Sequence, residues 1–296
     1  MASASSNTPL RVVPSVTPAI RNSIPALQLG FERVVPLAAQ LDAFIGDPNF
    51  MTSLARGLLV IQAFSQRKLN FSISQLSKRT GLSRASVRRC LHTLSKLGFA
   101  GTDDGRNFHL CPRVLALGHS YLSSMPLATA AQPMLEHLSH ILHESFSIAV
   151  LDGPEVVYIA RTSMPRIFAT DLGVGTRLPA FCTSMGRVLM ANLSPEELES
   201  VIPRMDFARY SDRTTISQEK LRRVLVAAQR DGYAIVDQEM ESGLRSMAVP
   251  VRNPMGRVVA AIDVETCGHN VSAQHMQTRF LPYLRAAAQE LSTLLR

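Results

Sequence analysis

Residues 72–110 read SISQLSKRTGLSRASVRRCLHTLSKLGFAGTDDGRNFHL, and this stretch decides the fold of the N-terminal part of the chain. In SISQLSKRT, 72–80, Ser72 or Ser74 offers a hydroxyl to the free amides of a first helical turn, while Ile73 and Leu76 face inward. Gly81 follows where the chain must leave the helix in a left-handed conformation. In LSRASVRRCLHTLSKLGF, 82–99, Ser83 caps a second helix whose Val87, Cys90, Leu91, Leu94 and Leu97 form one buried stripe, and Gly98 terminates it. FAGTDDGRNFHL, 99–110, reads as strand, Asp-Gly turn and strand.

Working outward, TSLARGLLVIQAFSQ, 52–66, places Leu54, Leu58, Ile61 and Phe64 on one helical face, with Thr52 or Ser53 as cap. Helix, helix, short glycine turn, helix and β-hairpin is the order of a winged helix-turn-helix. Helical periodicity alone would not separate it from a small bundle. The short turn, the basic stripe on the third helix and the β-ribbon after it together do.

Charge supports the same reading. The formal net charge is +8, and residues 51–113 hold eleven basic side chains against two acidic ones, Asp103 and Asp104. The remainder of the chain is close to neutral. One small domain thus carries the excess, as expected if it meets a polyanion and the rest does not. Arg84, Ser86, Arg88 and Arg89 lie off the buried stripe of the third helix. Arginine there reaches guanine edges bidentately, and Ser83 and Ser86 reach phosphates or bases. Arg106 sits in the wing turn, while Arg56 and Lys78, with Arg79, suit flanking phosphates. The bland alternative, a solvated charge run, is outweighed by the element order around it.

The rest of the chain mixes strands with flanking helices, an α+β pattern. A connecting helix over 113–126 ends at Pro126, and a long amphipathic helix follows at 127–144. SFSIAVLD (145–152) and EVVYIART (155–162) are predicted strands, joined at Gly153-Pro154. A Gly-rich loop, 171–181, leads into helices at 183–192, 194–201 and 217–231. Strands follow at 233–240, 245–252 and 257–266, and one last helix spans 272–295. The expected division is a weakly ordered tail at 1–49, the winged domain at 50–112, a linker helix at 113–126 and the larger domain at 127–296. The tail lacks the long apolar core of a secretory signal, and no stretch approaches the ~18 apolar residues of a spanning helix. Cys90, Cys111, Cys182 and Cys267 are scattered, which fits a reducing compartment and a cytoplasmic location.

The pieces LARGLLVIQAF, ISQLSKRTGLSRASVRRCLHTLSKLGF, GTRLPAFCTSMGRVLMA and DGYAIVDQEMESGLRSMAVPVRNPMGRVVAAIDVET resemble IclR-type regulators, over about 50–296. FIGDPNFMTSLARG and RLPAFCTSMGRVL look nearest to the branch that controls aromatic-acid catabolism, the protocatechuate, β-ketoadipate and 4-hydroxybenzoate regulators. The resemblance implies a GAF-like domain binding a small organic acid, a double-stranded operator, and a homodimer or homotetramer. It implies RNA polymerase as a partner if the protein activates, and no cofactor, metal, catalytic residue or membrane. Carried over residue by residue, the effector site is Phe181, Cys182 and Thr183 through their amides, then Asp237, Ser246, Asp263 and Glu265. The last two positions depart from the family's small polar residues. Asp263 and Glu265 would put negative charge beside Asp237 and repel an anion unless a carboxyl is protonated or Arg161, Arg177, Arg187 or Arg245 intervenes. Either the effector differs from the usual acids or Glu265 points elsewhere.

Two other readings are weaker. Cys182, His119 or His137, and Asp237 could be imagined as nucleophile, base and orienter, but nothing in their spacing brings them together. A constitutive architectural DNA-binding protein would have little use for a large near-neutral domain.

Overall fold

The structure, a computed structural model, describes residues 37–64, 69–164, 172–267 and 271–295. Residues 1–36 of the tail expected at 1–49 lie outside the described residues. Within the rest of that tail a 3-10 helix spans Leu37–Phe44, and its Ala38 packs on the winged domain's core.

That domain is built from α1 (Thr52–Gln62), β1 (Phe71–Ser72), α2 (Ile73–Thr80), α3 (Arg84–Lys96), β2 (Ala100–Gly101) and β3 (Asn107–Leu110). Ser72 caps α2 in a reciprocal capping box with Gln75, and Gly81 closes it at φ +77°. Ser83 caps α3 through the Ser86 amide. Val87, Leu91 and Leu94 of α3 are buried with Leu76 of α2 and Val60 of α1. Three expectations need correction. α1 has no side-chain cap, since its N-cap position is Met51. Its buried residues are Leu59 and Val60, with Ala63 just beyond its end, whereas Leu54 and Leu58 are 57% and 47% exposed. The helix is apolar on two sides, and the period could not say which side meets α3. Leu97, at the end of α3, is likewise half exposed. The small sheet also has a strand that the hairpin pattern did not reveal: β1 pairs with β3, in the order β1-β3-β2.

A 3-10 turn at Pro112–Val114 and α4 (Leu115–Ser123) connect to α5 (Pro126–Leu142). Pro126 therefore opens α5 at its first turn, where the missing N–H costs nothing. The larger domain continues with β4 (Ser145–Asp152), β5 (Glu155–Thr162), β6 (Arg177–Pro179), α6 (Ser184–Met190), α7 (Pro195–Val201) and α8 (Gln218–Asp231). β7 (Ala234–Asp237), β8 (Leu244–Arg252), β9 (Val258–Cys267), α9 (Ala273–Arg279) and α10 (Leu281–Leu294) complete it. The expected single last helix is two, because Pro282 in the first turn of α10 cannot continue a helix through Phe280.

The sheet order is β6-β5-β4-β9-β8-β7 with antiparallel neighbours throughout. One face, with Phe146, Ile148, Val249, Ile262 and Val264, packs under α5, α9 and α10. The other, with Ala149, Tyr158, Ala248 and Ala261, packs under α6, α8 and the turn Ala180–Cys182. The fold is α+β with a winged helix-turn-helix and a GAF-like domain. No helix among the described residues is long and apolar enough to cross a membrane.

Candidate functional site

Two surfaces carry the candidate chemistry. On the winged domain, Ser83, Arg84, Arg88 and Arg89 are exposed on α3 and Ser86 is half-buried. Ser83 and Ser86 are already engaged, with 3.1 Å between their hydroxyl oxygens, so their first role is to shape the start of α3. Arg56, Lys78 and Arg106 are exposed as well. Arg56 lies close enough to α3 to act electrostatically on Cys90. The wing has an organiser that charge counting overlooked. Asp104 accepts from the amides of Arg106 and Asn107 at 2.8 and 2.7 Å and from the Asn107 side chain at 2.7 Å. These bonds pull its carboxyl down to about 2, so it stays charged and holds the turn that presents Arg106. The Asp-Gly pair at a hairpin tip was the available signal.

On the larger domain, strand register sorts the remaining candidates. Ser147 of β4 stands opposite Asp263 of β9, and Ser145 opposite Glu265. On the other side of β9, Ala248 faces Asp263 and Ser246 faces Glu265. Ser246 in turn pairs with Val236 of β7. These positions share the face under α6, so Ser246, Asp263 and Glu265 do converge. Asp237 does not join them. It pairs with Arg245, which pairs with Thr266, and period two puts all three on the opposite face. The negative charge expected beside Asp237 is therefore not there, and Val236 occupies the position assigned to it. Asp237 binds Arg245 (2.6 Å) and Arg213 at the sheet edge; its partial burial is outweighed by a hydrogen bond from the Gln238 side chain and then by these two arginines, so its pKa is lowered.

The four arginines considered as neutralisers separate in the same way. Arg161 of β5 reaches Glu265 at 2.7 Å and Ser147 at 2.9 Å, and its Nε donates to Ser163. Its guanidinium lies over the Tyr158 ring, and the Tyr158 hydroxyl donates to Glu265 at 3.3 Å. Arg187 pairs with Glu239, Arg245 with Asp237, and Arg177 with Asp152 and Glu155 at the β5–β6 edge. Burial, opposed by Arg161 and reinforced by Glu265, raises Tyr158, and burial followed by the Glu265 charge holds Asp263 well above the usual carboxylate range. Tyr158, Ser147 and Ser145 are not evident from the sequence because only pairing across strands reveals their common face.

Phe181, Cys182 and Thr183 are buried above this face. Phe181 packs on Phe207 and Tyr210, and its carbonyl accepts from Arg187. Thr183 spends its hydroxyl capping Gly186 of α6. The Cys182 thiol meets the Met240 sulfur at 2.9 Å, and burial raises its pKa. His119 and His137 are exposed on α4 and α5, and among the described residues no hydrogen bond joins either to Cys182. The imagined triad is not assembled.

Comparison with known proteins extends this geometry. Residues 53–104 match the IclR helix-turn-helix domain, and residues 119–293 match the bacterial transcriptional regulator IclR C-terminal domain. The Pca regulon regulatory protein of Pseudomonas putida is 49% identical, over 86% of this chain and 87% of its own. The p-hydroxybenzoate hydroxylase transcriptional activator of Acinetobacter baylyi is 36% identical over 83% of this chain and 92% of its own. A crystal structure of an IclR homolog from Microbacterium hydrocarbonoxydans complexed with 4-hydroxybenzoate superposes with a TM-score of 0.70 at 27% identity, covering 82% of this chain and 99% of that one.

Proposed function

Because the chain belongs to the IclR family of DNA-binding transcriptional regulators, we propose that it controls genes of aromatic-compound catabolism by binding an operator under the control of a small ring acid. The observation that carries this reading is the buried polar face of Ser147, Tyr158, Arg161, Ser246, Asp263 and Glu265. It lies in a domain whose relative was solved with 4-hydroxybenzoate. Within that face Asp263 Oδ1 has no hydrogen-bond partner among the described residues, and a buried polar atom of that kind calls for a ligand or an explanation.

In this reading α3 enters the major groove, with Arg84, Arg88 and Arg89 nearest the bases. Arg56, Lys78 and Arg106 meet phosphates or the minor groove. Residues 50–112 bind DNA, 113–126 link, and 127–296 sense the effector, with Phe181, Cys182 and Thr183 roofing the site. Asp237 anchors the edge strand rather than touching the effector. The chain works in the cytoplasm and not as an enzyme, engaging RNA polymerase if it activates. It acts as a homodimer or homotetramer. The exposed apolar side chains Met51, Leu54 and Leu58 of α1 and its entry, and Leu115, Leu117 and Tyr121 of α4, are surface that a second copy would cover. Effector binding then shifts the population between arrangements of two recognition helices, and needs a differential of ~1–3 kcal/mol to register.

The test is a thermal-shift screen of the full chain against ring acids and short dicarboxylic acids, followed by operator gel shifts with each hit. A stabilising ring acid that changes operator affinity supports the proposal. Stabilisation by no acid, or by one that leaves operator affinity and DNA bend unchanged, overturns it.

A further inference from the structure

The face under α6 buries two carboxyl groups beside one guanidinium, and each nitrogen of that guanidinium already makes a hydrogen bond. Arg161 gives Nη2 to Glu265, Nη1 to Ser147 and Nε to Ser163. Glu265 takes Arg161 and Tyr158. Asp263 is 2% exposed, and its Oδ1 has no hydrogen-bond partner among the described residues. Ser147, directly opposite, hydrogen-bonds the same carboxyl. Among the described residues, the other charged or titratable groups around this face are few. Glu265 lies on the same strand, and Arg161 and Tyr158 on β5. From the elements packed above come Cys182, and Arg187 and Glu239, which hold each other.

An ionised carboxylate in this position would be a second buried negative charge beside Glu265, and Arg161, already paired with Glu265, offsets only part of that cost. Such a group keeps its proton instead, and a neutral carboxyl is a hydrogen-bond donor. We propose that Asp263 recognises the acid group of the effector, donating its O–H to a carboxylate oxygen of the ligand while the proton stays on Asp263. An anion can then enter beside Glu265 without a second arginine. The inference rests on the reading of the chain as an acid-responsive regulator, and it assigns the residue that reads the acid.

The test is calorimetric binding of benzoate and 4-hydroxybenzoate to the full chain, as wild type, Asp263→Asn and Asp263→Ala, from about pH 6 to 9. Asp263→Ala is expected to weaken both ligands alike, by roughly tenfold or more. Asp263→Asn keeps a neutral donor and is expected to stay within about threefold of wild type. Wild-type affinity falls as rising pH ionises Asp263, and the Asn variant lacks that fall. If the alanine variant does not fold, the asparagine variant and its pH profile carry the test. Unchanged benzoate affinity in Asp263→Ala overturns the assignment, as does loss of 4-hydroxybenzoate alone, which would place the contact at the ring hydroxyl. Identical pH profiles for wild type and Asp263→Asn overturn it too. If neither ring acid binds wild type, this inference fails, and if no acid of the thermal-shift screen stabilises the chain the proposed function fails with it.

Discussion

Arg187 of α6 and Glu239, two residues beyond β7, close a buried ion pair with 2.8 Å between Nη2 and Oε2. The pair is a junction as well as a contact. Arg187 Nε donates to the Phe181 carbonyl at 3.0 Å, and Glu239 accepts from the Thr215 amide at 2.7 Å. The roof of the candidate site, the loop before α8 and the β7–β8 connection are thereby tied together.

Removing one partner leaves the other charge buried. Arg187→Met is expected to cost about 3–5 kcal/mol in urea unfolding, and the double change Arg187→Met with Glu239→Gln to cost less than the two singles combined. A cost below about 1 kcal/mol would show that the junction is not structural.

Gly186 marks the tightest approach in the same roof. A Cβ there would sit 2.2 Å from the Ala180 carbonyl oxygen and 2.4 Å from its Cα, so backbone must move. Gly186→Ala is expected to lower the melting temperature and destabilise by about 1–3 kcal/mol or more. Gly173→Ala, with nothing within 4 Å, serves as the neutral control. Equal melting temperatures for the two variants would contradict the packing described.

Asp263 makes stability fall as pH rises. Its folded pKa is raised above the unfolded value by burial and then by Glu265, so the folded state binds the proton more tightly. The contribution is complete below the unfolded pKa of about 4 and is lost progressively towards the folded pKa. Asp263→Asn removes the titration. Its melting temperature relative to wild type should therefore rise between about pH 4.5 and pH 8, and a constant difference across that range would refute the assignment.

The winged domain gives a contrast between two arginines. Arg88→Ala on α3 is expected to cost about 1–3 kcal/mol of operator affinity and to relax preference at one position. Arg106→Ala at the wing should weaken all sequences alike and lower the salt slope by about one. Fluorescence anisotropy at several salt concentrations separates these outcomes, and interchanged behaviour would reverse the two roles. Asp104→Ala should reproduce the Arg106 effect in part, because it frees the turn that presents that side chain.

Local chemistry accounts for what the amino-acid order makes legible. The capping box at Ser72, the left-handed Gly81, the Ser83 cap and the Asp-Gly wing act within a few residues, so their order alone spells out a winged helix-turn-helix. The two strand-forming runs on either side of Gly153-Pro154 likewise place β4 and β5 with their ends correct. Local rules fail where a choice depends on distant partners. α1 has apolar residues on two sides, and only packing selects Leu59 and Val60 over Leu54 and Leu58. The candidate effector site shows the same divide. The resemblance names Ser246, Asp263 and Glu265 together with Asp237, and alternation along β9 puts Asp263 and Glu265 on one face. Tertiary structure alone decides that Val236 rather than Asp237 stands beside Ser246, and that Arg161 rather than Arg187 or Arg245 meets Glu265. The reason is physical. A strand's own pattern fixes which residues share a face, but register and burial against other strands decide which face looks into the site and which charges meet there.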